Sequence, residues 1–323
     1  MSIKNVVILQ HNGGRLANQL WLLVSVYAYC LDRGYGLQNP SFFEYGAYFS
    51  PRVAGGTVTS IFYTLYYWLR RLCKPLGLEA VLRFCFRKMY TVSAQLRSSF
   101  LPGTIVRSSS GGALPSAVRY LSPTSPADQA FTGFEQGQSS RLYVMGWLFR
   151  NPVGLERYRK EIEEYIQPRK ELWEKAGQYI AAQRTAYKHV IGVHIRQGDY
   201  KTQYQNGDLY IPIETAVQAM QEFLVQYNLS AAETCFIICS DGVVDMKKVA
   251  WLHVVVSGHD EIVDLCILAE TDALLGSNST FGAFAAYYAN KPLIVMTKTG
   301  VDWEYYEGRT TFFNNKYLTT VHF

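Results

Sequence analysis

Apolar residues follow two periods along this chain, and the periods alternate. Residues 5–10 (NVVILQ) form a short run of strand character, and HNGGRLANQ leads from it into a mostly apolar stretch, residues 20–31. A strand, a glycine-bearing turn and a helix in that order open a βαβ unit. Residues 41–60 keep neither period and read as irregular loop. Residues 60–90 are helical, and Pro75 and Gly77 divide them into two helices. The Ser-, Pro- and Gly-rich residues 101–130 read as loop. RLYVMGWLF (141–149) is a strand, and ERYRKEIEEYIQP (156–168) is one amphipathic helix with Tyr158, Ile162 and Tyr165 or Ile166 on one face. Residues 172–187 are a further helix.

The second half repeats the alternation more cleanly. Residues 190–195 are a buried strand, 213–226 a helix, TCFIICSD (234–241) a strand and 253–257 another. Residues 264–289 read as a helix, a short strand, and a Gly/Ala-rich helix opened by SNST. The expected fold class is α/β, with two Rossmann-like domains over residues 1–185 and 186–323.

Composition agrees with a globular chain of two-domain length: 323 residues, 49% hydrophobic and 18% charged. The six cysteines are scattered with no CxxC or Cys/His spacing, so zinc and redox centres are not indicated and a reducing compartment is expected. Cys235 and Cys239 share one face of a strand, where thiols act as small hydrophobes. No charged-then-apolar leader opens the sequence, and the apolar stretch 20–31 is too short to cross a bilayer. The expectation is a soluble or peripheral protein.

Charge changes the picture in one place. Residues 61–90 hold six basic residues against Glu79 alone, a net of +5, which equals the formal charge of the whole chain. Interleaved with Trp, Tyr, Phe and Leu, that charge suits peripheral contact with an anionic membrane. It equally suits two core helices with solvated basic faces. Nothing else resembles a nucleic-acid module, so no nucleic-acid partner is expected.

The candidate chemistry lies where strands end. VIGVHIRQGDY (190–200) empties into His194, Arg196 and Asp199, with Gly198 allowing close backbone approach. An arginine fork there suits a phosphate. The strand 234–240 ends in the same way on Ser240 and Asp241. Gly13 and Gly14, before a helix starting near Asn18, form a second place where backbone N–H groups can meet an anion. Ser277, Asn278, Ser279 and Thr280 supply caps and an anion cradle at a third. Each also has a plain structural reading as turn or cap. No DxD sequence occurs, so no carboxylate pair for a divalent metal is expected.

Taken together, HxRxGD, SD and D…SNST resemble the three motifs shared by α1,2-, α1,6- and protein O-fucosyltransferases. GGRLANQ resembles the GGLGNQ opening of the bacterial and animal α1,2 branch, and MGWLFRNPVGLERYRKEIEEYIQP its G-Y-F-Q segment. The resemblance covers residues 10–30 and 141–290. It implies a GT-B fold, two domains facing across a cleft, and an inverting transfer of fucose from GDP-fucose without a metal or other cofactor. The N-terminal domain would serve the acceptor and residues 186–323 the donor.

By position, Arg196 would hold the pyrophosphate, and His194 and Asp264 the ribose and guanine. Ser277 to Phe281 would cradle diphosphate and fucose, with Gly13, Gly14 and Asn18 closing from the first domain. Ser240 and Asp241 would line the donor site. Asp208 is the expected general base, with Asp199 and Glu214 as alternatives, and Asp199 is better suited to fixing Arg196 or its loop. Many relatives carry HxRRxD, and here the second arginine is Gln197. The acceptor would be a surface glycan on a lipid carrier, placing the protein in the cytoplasm at the inner face of the membrane. The readings left open are an α1,6 or protein-O linkage, a non-catalytic GDP-sugar-binding relative, and a membrane-interaction protein built around residues 60–90.

Overall fold

The computed structural model describes residues 5–11, 14–108, 119–121, 134–146, 148–201, 209–291 and 293–306. The chain divides into two units, Met1–Arg169 and Lys170–Phe323.

In the first unit the elements are β1 (Val6–His11), α1 (Leu16–Arg33), β2 (Gly36–Gln38), α2 (Thr57–Cys73), α3 (Glu79–Phe100), β3 (Thr104–Arg107), β4 (Arg119–Tyr120), β5 (Arg141–Met145), β6 (Phe149–Arg150), α4 (Pro152–Arg157) and α5 (Arg159–Tyr165). Its main sheet has the order β2-β1-β5-β3 with every pairing parallel. Parallel strands need covered faces, and α1 supplies a cover. It is apolar all round, with Trp21, Leu22, Leu23 and Val24 fully buried. Gly34 ends it in the left-handed conformation, φ 65°. Asn151 ties the β6–α4 segment to this helix: its side chain caps α4 by accepting from Gly154 N–H at 3.0 Å and donates to the Ser25 carbonyl at 3.4 Å.

Several expectations are corrected here. Residues 41–60 are not an irregular loop. They make three short 3₁₀ turns started at Pro40, Gly46 and Pro51, bury Phe42, Phe43, Phe49 and Val53, and then enter α2 at Thr57. Single 3₁₀ turns carry no repeating apolar period, so the sequence pattern hides them. Within 101–130, Thr104–Arg107 is an edge strand on β5 rather than loop; residues 109–118 and 122–130 lie outside the described residues. The helix expected over 156–168 breaks at Tyr158, which leaves helical geometry at φ −107° and ψ 28°. There Asp32 Oδ1 accepts from Tyr158 Oη at 2.8 Å and Arg157 Nη1 at 2.7 Å, and the redirected chain buries Ile162 and Ile166. The break expected at Pro75 and Gly77 is present, with α2 ending at Cys73 and α3 beginning at Glu79.

The second unit begins with α6 (Lys170–Arg184), so this helix does not close the first domain, as a boundary at 185 required. It packs against α8 through the second unit's core. The order continues β7 (His189–Ile195), α7 (Ile213–Gln226), β8 (Thr234–Ser240), β9 (His253–Val256), α8 (Glu261–Glu270), β10 (Ala273–Ser277), α9 (Thr280–Ala289), β11 (Leu293–Met296) and α10 (Trp303–Tyr306). The sheet order is β11-β10-β7-β8-β9, again all parallel.

Alternation within β7 sorts its two faces. Ile191, Val193 and Ile195 join Phe236, Ile238 and the α7 residues Met220 and Phe223 in one core cluster. Gly192 and His194 face the other way. A Cβ at Gly192 would come within 2.8 Å of Thr271 Oγ1, so a glycine is needed for the chain after α8 to cross that closely.

A candidate anion site at the carboxyl edge of the second sheet

From β7 the chain runs outward on one side to β8 and β9, and on the other side to β10 and β11. The gap between β7 and β10 is therefore the topological switch point, where loops diverge and a crevice opens beyond the strand ends. Arg196 follows β7 at that point, and Ser277 ends β10 beside it. The Arg196 N–H donates to Ser277 Oγ at 2.9 Å, which ties the two strand ends together.

The Arg196 guanidinium is held on two sides. Its Nη2 lies 2.6 Å from Asp199 Oδ1 and its Nη1 2.8 Å from Asp241 Oδ2. It also lies over the Tyr200 ring, 5.6 Å from the centroid. Asp241 does more than pair with it. Its Oδ1 accepts from Gln197 N–H at 2.7 Å and Gly198 N–H at 3.2 Å, so one carboxylate shapes the loop and aims the arginine. A Cβ on Gly198 would sit 2.6 Å from Asp241 Oδ2, which explains the glycine. Asp199, expected to fix Arg196 or its loop, forms an ion pair with that arginine.

Below the arginine, His194 is buried and neutral. Burial first, and then the Arg196 charge, push its pKa down to about 4. Its Nδ1 lies 3.3 Å from Ser279 Oγ, and its ring is 5.0 Å from that of Phe281. Ser279 is the N-cap of α9, with its Oγ accepting from Phe281 N–H at 3.3 Å. Thr280 opens the helix, and the Asn278 carbonyl accepts from Tyr200 Oη at 3.1 Å. The positive end of α9 thus lies beside Ser277 and His194 at the switch point. Ser240 pairs with Ile195 at the end of β8, and its Oγ accepts from Gly242 N–H at 3.2 Å.

Asp264 belongs to a neighbouring cluster. It is buried in the first turn of α8, where Ser257 Oγ donates to its Oδ1 and the Cys239 thiol bonds it as well. Burial dominates, and its pKa is pushed up to about 6. In the first unit Gly14 takes φ +80°, and a Cβ there would lie 2.2 Å from Asn18 Nδ2, so the turn packs closely on the helix residue. The helix itself starts at Leu16, earlier than the sequence suggests. Gly13 and Asp208 lie outside the described residues. Glu214 is exposed and paired with Lys248, which holds its carboxyl below the usual range. That pairing suits it poorly for a base.

Two residues escaped sequence reading. Tyr200, which lies under Arg196 and reaches Asn278, is the last residue of the central motif itself. Ser257 ends a strand run just as Ser240 and Ser277 do, and that repeated pattern was the available signal. Among the described residues no group of three or more His, Cys, Asp or Glu is arranged to hold a metal ion.

Solved structures of fucosyltransferases share this fold. Over 91% of this chain and 98% of that one, the structure of POFUT1 in complex with GDP-fucose superposes with a TM-score of 0.53 at 11% identity. A mutant of Arabidopsis thaliana FUT1 in complex with GDP gives 0.51 at 13% identity, covering 91% of this chain and 71% of that one. Fucosyltransferase NodZ from Bradyrhizobium gives 0.53 at 14%, covering 93% and 97%. No protein-family model and no curated protein sequence matches the chain. At these identities the likeness defines the fold, and it is α/β of the GT-B type.

Proposed function

We propose that the chain is an inverting glycosyltransferase that moves fucose from GDP-fucose to a hydroxyl of a glycan acceptor. The observation that carries this reading is Arg196 at the switch point, beside the N-terminus of α9, in a fold shared with proteins solved with GDP or GDP-fucose. Breaking the fucose–phosphate bond builds negative charge on the leaving GDP. A permanently charged fork and a helix N-terminus are preorganised donors for that charge, each worth roughly 10²–10³ in rate. The neutral His194 and the Asp264 carboxylate lie toward the nucleoside in this reading, while Ser277 to Phe281 face the diphosphate and the sugar.

The α1,2 linkage is proposed from GGRLANQ and from the 145–168 segment, with a lipid-linked surface glycan as acceptor at the cytoplasmic face of the membrane. The likeness to NodZ, an α-1,6-fucosyltransferase by its structure's description, favours α1,6 as the second reading. Linkage analysis of the product decides between them.

The test is a ligand panel followed by transfer. GDP and GDP-fucose raise the melting temperature and UDP or CMP sugars do not; at a hundred times Kd the stabilisation is about 2.7 kcal/mol. Transfer continues in EDTA. Stabilisation by UDP sugars instead, or EDTA loss restored by manganese, counts against the reading.

Asp208 is the proposed base for the acceptor hydroxyl. Asp208→Asn keeps GDP affinity by calorimetry while kcat falls by about 10²–10⁴-fold. A variant that turns over near the wild-type rate removes Asp208 from the mechanism.

A further inference from the structure

The α2–α3 hairpin has an inner and an outer face, and only the inner one is explained. Phe43 packs against Phe62 and Tyr66 of α2 and against Phe86 and Tyr90 of α3, so both helices rest on one aromatic cluster. Gln10 fastens α3 to the end of β1 by donating to the Ala94 carbonyl at 2.6 Å. Arg70 and Arg83 pair with Glu79, and Arg83 and Arg87 with Glu44, so these three cations are engaged locally.

The outer faces run opposite to these contacts. On α2, Ile61, Leu65, Trp68 and Leu72 recur every three or four residues and are each at least half exposed, Leu72 by 65%. On α3, Val81, Met89, Val92 and Leu96 are likewise at least half exposed, on the side away from Phe86, Tyr90 and Ala94. Since both inner faces meet Phe43, the two apolar stripes point outward together. An apolar surface of this extent on a soluble unit marks a partner.

Its charges say which partner. Arg71 lies over the Trp68 ring at 5.4 Å and Lys88 over Phe84 at 5.6 Å, each cation extended along an aromatic of the exposed surface. Lys74 is exposed at the turn between the helices. Among the described residues no carboxylate pairs with these three, and Glu79, the hairpin's one acid, is engaged on Arg70 and Arg83. No described helix is long and apolar enough to span a bilayer. Apolar stripes with a cationic, acid-free rim are built for a surface that is apolar inside and anionic at its head.

We infer that the outer face of the α2–α3 hairpin docks on an anionic lipid bilayer, with Ile61, Leu65, Trp68 and Leu72 entering the interface and Arg71, Lys74 and Lys88 meeting the headgroups. The inference stands apart from the transfer reaction, because its readout needs no turnover. Full-length protein is sedimented with phosphatidylcholine vesicles and with vesicles that also carry phosphatidylglycerol. It partitions onto the anionic vesicles, and salt releases it.

A variant carrying Trp68→Glu and Leu72→Glu loses at least about tenfold in partition. Arg71→Gln, Lys74→Gln and Lys88→Gln each lose about fivefold. All these positions are solvent-exposed, so circular dichroism and melting temperature stay at wild type. Failure to bind anionic vesicles overturns the inference, as does binding that the Trp68 and Leu72 pair leaves intact. A concentration-dependent dimer in analytical ultracentrifugation, dissolved by that same pair, assigns the face to a second copy and also overturns it.

Discussion

Arg196→Ala lowers kcat for fucose transfer by at least about 100-fold, with a smaller loss in GDP affinity. The asymmetry follows from when the arginine is needed. A charge-assisted hydrogen bond contributes about 1.5–3 kcal/mol to a ground-state complex, and more as the departing phosphate gains charge. The structure adds a second cost to the substitution. Asp199 and Asp241 converge on one guanidinium at 2.6 and 2.8 Å. Its removal takes the shared cation away from both carboxylates, at the strand end where the proposed donor's diphosphate would sit.

Arg196→Lys rescues only in part, since a point charge cannot face two carboxylates and a phosphate as a planar fork does. Gln197→Ala is the mild control, because this chain already carries no arginine at that position and the Gln197 side chain lies beside Gly242. Secondary structure stays intact, and the His194 imidazole, depressed partly by the Arg196 charge, titrates at higher pH when followed by NMR. Transfer near the wild-type rate in Arg196→Ala would show that this strand end is not the donor site.

The second large effect is a gain in stability. Asp264→Asn melts higher than wild type at pH 8 and together with it at pH 4. The folded pKa of Asp264 is raised from 3.8 to about 6 by burial. Its favourable, protonated form is therefore fully present below the unfolded value and is lost as pH rises through about 6. Above that, the fold carries an ionised buried carboxylate at a cost on the order of 2–3 kcal/mol. Asparagine keeps an acceptor for Ser257 and carries no charge, so the cost vanishes.

His194 works in the opposite direction. Its pKa falls from 6.5 to about 4, so its stabilisation holds above the unfolded value and is lost as pH falls toward 4. In the wild type the two offset each other between about pH 4 and 6. In Asp264→Asn only the acid-side loss from His194 remains, and the pH profile slopes. Denaturant midpoints at each pH measure it. An equal gain at pH 4 and pH 8 would mean that ionisation of Asp264 is not the cause. Weaker GDP binding in the more stable variant is the trade expected if this carboxylate serves the nucleoside.

Local chemistry made much of this protein legible. β7 and β8 are near-continuous apolar runs because parallel strands are buried on both faces, and such runs are visible in any order of reading. Pro75 and Gly77 had to interrupt residues 60–90, and SNST had to cap a helix. The arginine and the serines at strand ends needed only the rule that ligands sit beyond the carboxyl edge of an α/β sheet.

Other features depend on which strand lies beside which, and no residue encodes that alone. A period of two says that His194 and Gly192 share a face, but not that the end of α8 and α9 cover it. Only the order β11-β10-β7-β8-β9 sets Ser277 beside Arg196 and brings Asp241 across to the same guanidinium. The short turns of 41–60 are also invisible locally, because what holds them is burial of Phe42, Phe43 and Phe49 rather than a repeat. The outer stripe of the α2–α3 hairpin is decided in the same way. Its spacing fits a core helix as well as an interfacial one, and only the seating of the opposite face on Phe43 leaves it turned toward solvent.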